Sequence, residues 1–420
     1  MMPKDKTSAR LGVYLGDRLA GHLWLDEGRR FVFQYDREAV GISGMTALSL
    51  SLPLREEPYG DDRARPFFAN LLPEAEIRKV IARRFGISER NDFLLLKAIG
   101  GECAGAVSVL PEGDAPREKP GYRELDEEEL HRIVTELPRK PLLAGEKGLR
   151  LSLAGAQDKL PVYMREDRIF LATGNAPSTH ILKPPIRDIE GSVLNEAFCM
   201  TLAGDMGLPV PGVTIRRGLD TLFIVTRFDR QIFPDGRVLR LHQEDFCQAL
   251  GVLPEEKYES EGGPSLARCF DLIAGKSIRP AADRMALLRW VVFNVLVGNA
   301  DAHGKNLSLL LTAPGPRLAP FYDLISTVIY ENLSDRFAMR IGGENRPAWI
   351  QQRHWKRLAD SLSIKHGLVF HVLGGMAGEI SSKAEAAAEA FRGTHGGGDI
   401  LERILKAIRV SVSQVLSGDR

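Results

Sequence analysis

The sequence predicts an α+β protein of two lobes, a mixed α/β N-terminal lobe with an extra N-terminal subdomain and a mostly helical C-terminal lobe. Three observations lead there. Short runs of alternating polarity, bounded by Gly, Asp and Pro, fill residues 10–55 and recur at 149–163, 179–183 and 221–228. From residue 243 onward the apolar runs lengthen and take helical spacing. Between a helical run ending at Gly298 and an apolar strand at 307–311 lies a polar loop, Asn299-Ala-Asp-Ala-His-Gly-Lys-Asn306. A polar loop held by two buried elements is a common setting for catalytic groups.

In chain order, Leu11–Leu15, Gly21–Leu25, Phe31–Tyr35 and Leu48–Leu52 read as strands, with a turn at Gly16-Asp17. Pro66 opens a helix over 67–72. Helices follow at 74–85 and 92–99, then a strand at 104–110. This subdomain, 1–112, holds no acid–base or metal constellation and reads as a structural or interaction module. Residues 113–148 form a linker with one short helix, 127–137, whose first turn is acidic. The N-lobe core spans 149–242 and the helical lobe 243–420.

Residues 149–163 read as strand, turn, strand. Ala154, Gly155 and Ala156 let a backbone approach a ligand closely, although such a hairpin is more often only a hairpin. The run 179–183 delivers Lys183 at a strand end, stopped by Pro184 and Pro185. A strand lysine can reach nucleotide phosphates, and Glu196 on the helix 191–206 can pair with it. A solvated lysine and a surface glutamate are the alternatives. Thr226-Arg227-Phe228 ends the strand 221–228, with Phe228 either against a base or in the core.

Helices are expected at 244–250, 265–273, 283–297, 349–362, 367–392 and 401–416, with a further strand at 335–341. Gly275-Lys276-Ser277 does not complete a Walker A motif, since Phe270 stands at the first glycine and the segment leaves a helix. The loop 299–306 matches the start of a calcium loop, but Leu310 occupies the position of the bidentate glutamate. A polar loop with no chemistry is the other plain reading, since Asn, Asp and Gly are ordinary turn formers, and the rest of the chain decides between it and phosphoryl transfer. One carboxylate takes the proton of the attacking hydroxyl, and an Asn with a second acid holds magnesium. Asp301 and Asn306 have the five-residue spacing of a kinase base and its Asn, and Asp323 follows an apolar segment. Turn, strand lysine, helix glutamate, strand into a break, D-x4-N loop and second Asp come in the order of parts of a protein kinase.

Composition bounds the rest. With 44% apolar and 26% charged residues at net charge +1, the chain has no global nucleic-acid signature. Cys103, Cys199, Cys247 and Cys269 lack metal or disulfide spacing, and Cys199 and Cys247 read as inert buried thiols. With neither a leader nor a membrane-length apolar run, the expected location is cytoplasmic.

Six motifs in order carry a resemblance: Ser152-Leu-Ala-Gly-Ala-Gln-Asp-Lys159, Thr179-His-Ile-Leu-Lys183-Pro, Leu241-His-Gln-Glu-Asp-Phe-Cys-Gln248, Lys257-Tyr-Glu-Ser-Glu-Gly-Gly-Pro264, the loop 299–306 and Pro320-Phe-Tyr-Asp323. Together they resemble the HipA family, the serine/threonine kinase toxins of HipBA toxin–antitoxin pairs. The likeness covers residue 10 to the C-terminus, with only helical character over the last eighty residues. Some relatives encode the N-terminal subdomain as a separate protein.

The resemblance implies a protein-kinase-like fold that uses ATP and Mg2+ to phosphorylate serine on protein. Asp301 is then the catalytic base, and Asn306 and Asp323 are the magnesium ligands. Lys183, the turn residues Ala154, Gly155, Ala156, Gln157, Asp158 and Lys159, and the loop residues His303, Gly304 and Lys305 lie at the phosphates. Thr226, Arg227 and Phe228 hold the adenine. Ser152 matches the autophosphorylated serine that switches the kinase off. Asp158 stands where the best-known relative has Glu. The implied partners are a HipB-like helix-turn-helix antitoxin, operator DNA mainly through that antitoxin, and a protein substrate such as an aminoacyl-tRNA synthetase, with no membrane.

Two rivals belong to other classes. A small-molecule kinase of the aminoglycoside phosphotransferase type shares the Asp and Asn, but Asn299-Ala300 precedes Asp301 where that type reads His-Gly. A non-catalytic co-repressor module is argued against by intact Lys183, Asp301, Asn306 and Asp323.

Overall fold

The computed structural model describes residues 10–42, 44–116, 121–146, 149–174 and 176–417. The chain forms two compact units, one of Met1–Ile181, Asp229–Pro254 and Leu310–Ala313, the other of Leu182–Phe228, Glu255–Leu309 and Pro314–Arg420.

The first unit begins with an antiparallel sheet in the order Phe31–Tyr35, Arg18–Leu25, Leu11–Leu15, Val107–Pro111. Phe31, Phe33 and Tyr35 are buried and alternate with half-buried Val32 and Gln34, as one face of a pleated strand requires. Helices Asp61–Ala69, Ala75–Arg84 and Asp92–Ile99 contribute Phe67, Phe68, Ile81, Phe93 and Leu96 to the same core. Pro66 sits inside the first of these helices rather than opening one. Gly60 and the acids Asp61 and Asp62 start that helix instead.

The segment 48–52 is not a strand but a turn closed by one Ser49–Leu52 bridge. Its polar groups bond elsewhere in the unit. Leu50 N donates to Glu244 Oε1 at 2.9 Å and Ser51 Oγ to the Gln248 carbonyl at 2.9 Å, with Ser49 Oγ on Glu244 Oε2. Backbone satisfied this way has no need of a ladder.

A second ladder of this unit runs Gly121–Leu125, Arg168–Thr173, Leu160–Arg165. The expected linker therefore turns into strand at Gly121, and 117–120 lie outside the described residues. The expected hairpin at 149–163 is only half present. Its second arm is a strand, Leu160–Arg165. Its first arm pairs in parallel with the N-terminal module, Leu151 against Glu102 and Gly155 against Pro73. Leu151 and Leu153 join the core of that module, and burial of these side chains overrides local hairpin pairing.

The second unit holds the helix Ser192–Asp205, the hairpin Val213–Arg217 and Thr221–Thr226, and the helices Leu266–Lys276, Pro280–Val297, Gln352–Ser361, His366–His395 and Gly398–Ser417. Pro280 opens its helix at the first position, where no N–H is needed. Gly298 ends it at φ 70°, and a Cβ there would lie 2.3 Å from Val328 Cγ2, so both conformation and space demand glycine. Residues 335–341 are not a strand. Phe337 N donates to the Asn345 carbonyl and Ala338 N to the Ala300 carbonyl, leaving one isolated bridge, Ile341–Glu344. Among the described residues no helix is long and apolar enough to cross a membrane.

Candidate active site

The loop after Pro280–Val297 is fixed from several sides within the second unit. Asn299 Nδ2 donates to Asn294 Oδ1 at 2.7 Å, and Asn299 Oδ1 accepts from Asp301 N at 3.1 Å. Ala300 N donates to Thr327 Oγ1 at 2.7 Å. His303 N and Asn306 Nδ2 both donate to the Asp301 carbonyl, at 2.8 and 3.3 Å. The five-residue spacing thus has a local cause, because Asn306 closes the loop on the backbone of Asp301. His303, Lys305 and Asn306 are buried, while the Asp301 side chain is 51% exposed. An exposed carboxylate on an over-determined backbone is what a general base requires.

Lys183 is buried and bridges two acids. Its Nζ lies 2.7 Å from Glu196 Oε1 and also pairs with Asp323 Oδ1. Burial alone pushes the ammonium down, but the Asp323 and Glu196 carboxylates outweigh it and hold Lys183 above the usual lysine range. The solvated readings of Lys183 and Glu196 therefore fail, since both side chains are under a tenth exposed. Asp323 reaches the ammonium with backbone φ 54°, a left-handed conformation uncommon outside glycine and a frequent mark of functional positions.

Thr226 ends its strand with N donating to the Gly212 carbonyl at 2.9 Å, and Arg227 is buried. Phe228 is half-buried and stacks on Tyr322, centroids 5.4 Å apart at 24°. The Tyr322 hydroxyl donates to the Lys305 carbonyl at 2.7 Å and hydrogen-bonds Ser308 Oγ at 2.7 Å. Tyr322 thereby ties the aromatic pair to the loop 299–306. Sequence reasoning missed it, although its place beside Asp323 was a usable signal.

Two family models match, the HipA-like C-terminal domain over residues 151–391 and the HipA N-terminal domain over 11–110. The chain belongs to the HipA family. It is 34% identical to the serine/threonine-protein kinase toxin HipA of Shewanella oneidensis, over 88% of this chain and 87% of that one. A putative kinase of Sinorhizobium fredii, Y4mE, is 44% identical over 91% and 92%. Among solved structures, the Shewanella oneidensis complex of HipA, HipB and operator DNA matches at TM-score 0.84 and 30% identity, covering 97% of each chain. The chain is accordingly a serine/threonine protein kinase of the HipA type, with the α+β kinase-like fold of that family.

In this HipA-family chain the second unit brings together Lys183, Glu196 and Asp323, and it holds Thr226–Phe228 and the loop Asp301–Asn306. A further group missed in the sequence is Tyr258, whose hydroxyl donates to Asp301 Oδ1 at 2.6 Å. Ser152 and the residues 154–159 belong to the first unit. Ser152 is fully buried, with N donating to the Glu102 carbonyl at 2.8 Å and Oγ to the Leu71 carbonyl at 2.7 Å. The Gly155 carbonyl accepts from Glu74 N at 3.1 Å, and Lys159 Nζ donates to the Ala154 carbonyl at 2.6 Å. Ala156 is exposed, and Gln157 and Asp158 are half-buried.

Proposed function

We propose that this HipA-family kinase transfers the γ-phosphoryl group of ATP, with magnesium, to serine on a protein, and that Asp301 is its base. The acceptor hydroxyl gives its proton to Asp301 as its oxygen bonds to phosphorus and the bond to the departing ADP oxygen breaks. The carrying observation is the buried ammonium of Lys183 held between Glu196 and Asp323. It supplies a fixed cation where phosphate oxygens need one.

Asn306 and Asp323 offer oxygen donors suited to magnesium, which keeps water and phosphate oxygens for the rest of its octahedron. Asn306 Nδ2 is spent on the Asp301 carbonyl, so its amide oxygen is the group left for the ion. Magnesium would supply neutralisation of charge on the phosphates. Thr226, Arg227 and Phe228, with Tyr322 behind Phe228, would hold the adenine. Lys305, His303, Gly304 and residues Ala154–Lys159 would serve the phosphates.

Ser152 would be the self-acceptor. Its phosphate would bring about −1.5 to −2 charges to a fully buried site bonded to a carbonyl. That state is incompatible with the present seat of the segment, so a phosphorylated chain would have it withdrawn. The partner would be a HipB-like antitoxin, with operator DNA reached mainly through it, because the Shewanella relative is described in that complex. A cytoplasmic translation protein such as an aminoacyl-tRNA synthetase would be the target. The test is intact mass after incubation with MgATP. Wild type should gain one phosphate, Ser152→Ala should gain none, and Asp301→Asn should be slower by about a hundredfold or more. Full phosphorylation of Asp301→Asn would refute the assignment of the base.

A further inference from the structure

The motif Lys257–Pro264 has no role in the reading above, yet the structure seats it against the base. Glu259 N donates to the Ala338 carbonyl at 3.0 Å, and Ala338 N donates to the Ala300 carbonyl at 2.9 Å. Arg340 N donates to Glu259 Oε2 at 2.6 Å. The loop is therefore tied through residues 338–340 to the residue preceding Asp301. Its own turn is tight, with Gly263 N on the Tyr258 carbonyl at 2.9 Å. A Cβ on Gly263 would fall 2.1 Å from the Glu256 carbonyl oxygen, so the turn closes only with glycine.

This anchoring puts the Tyr258 hydroxyl 2.6 Å from Asp301 Oδ1. The ring meets His303 edge-on, centroids 5.3 Å apart at 83°, and His303 Nε2 lies 3.9 Å from the same carboxylate oxygen. The bonds of the loop backbone fix where Asp301 begins, but they do not fix the rotation of an exposed carboxylate. A hydroxyl on one oxygen does, and it leaves the other oxygen to take the acceptor proton.

We infer that Tyr258 is the positioning residue of the base, holding Asp301 Oδ1 through its hydroxyl while Oδ2 receives the proton of the acceptor serine. The inference rests on Asp301 being the base, and the experiment separates the two. Full-length wild type, Tyr258→Phe, Asp301→Asn and the double variant are compared by rate of self-phosphorylation against ATP concentration, by ATP affinity from calorimetry, and by thermal midpoint. Phenylalanine keeps the ring on His303 and removes only the hydroxyl.

Tyr258→Phe should lose about tenfold in maximal rate, the scale of one hydrogen bond to a charged group. Its KM for ATP, ATP affinity and thermal midpoint should stay at wild-type values. In the Asp301→Asn background the same change should cost nothing further, since the group it positions is gone. A wild-type rate for Tyr258→Phe beside an inactive Asp301→Asn would overturn the role of Tyr258 and leave the base in place. A rate loss that comes with a lower midpoint or a raised KM would make Tyr258 merely structural. A fully active Asp301→Asn, or a wild type that transfers no phosphate, would overturn both assignments.

Discussion

Lys183 shows how one residue settles several sequence ambiguities at once. From the sequence, a strand lysine followed by prolines is as compatible with solvent as with a phosphate site. Burial beside two carboxylates removes the solvent reading, because an ammonium leaves water only when its charge is met. Lys183→Met should therefore cost folding stability. It takes from Glu196 and Asp323 the cation they share, which should destabilise the second unit by about 3 kcal/mol and lower its unfolding midpoint in a denaturant titration. Unchanged stability would mean that the three groups are not coupled. Phe228 was legible only as an aromatic at a strand end, and its stack on Tyr322 needed two chain positions far apart in sequence.

At the scale of elements, the motif 241–248 is a seat for the N-terminal module. His242 Nε2 meets the Leu48 carbonyl at 2.8 Å, Glu244 holds Ser49 and Leu50, and Gln248 Nε2 donates to the Phe67 carbonyl at 3.0 Å. Burial pushes the Glu244 carboxyl from 4.5 up to about 8, partly offset by the Ser49 and Leu50 donors. Its folded pKa lies above its unfolded one, so this contribution to stability is whole below about pH 4.5 and is lost as pH rises towards 8. Burial pushes His242 from 6.5 down to about 4, which gives the opposite slope, with stability lost as pH falls from 6.5 towards 4. Glu244→Gln should flatten the decline of the thermal midpoint between pH 5 and 8 and keep the loss on the acid side. An unaltered decline would show that Glu244 does not titrate in that window. The same element scale explains the mistaken strand at 48–52. Alternation of apolar residues was present, but the backbone found side-chain partners instead of a strand, Tyr35 Oη for Leu48 N, Glu244 Oε1 for Leu50 N and His242 Nε2 for the Leu48 carbonyl.

For the whole molecule, the N-terminal module is part of the first unit rather than an appendage. Glu102 accepts from Arg230 Nη2 at 3.1 Å and from Ser178 Oγ at 2.9 Å, and Arg230 Nη1 donates to the Gly105 carbonyl at 3.0 Å. Removing residues 1–112 would strand these buried groups together with His242, Gln248 and Ser152. A fragment of 113–420 should be insoluble or open to limited proteolysis across 149–181 and 229–254, and co-expression of 1–112 should restore protection. A well-protected fragment alone would show that the module only decorates the unit. The sequence by itself determined the fold class and the family, because hydrophobic period and the six ordered motifs are local and survive in one dimension. Only the tertiary structure decided that Lys183 is shared by Glu196 and Asp323, that the Ser152 segment pairs with the N-terminal module, and that Tyr258 touches Asp301. Each of these depends on burial and on hydrogen bonds between residues remote in the chain, where the cost of leaving a polar group unmet, rather than local propensity, selects the partner.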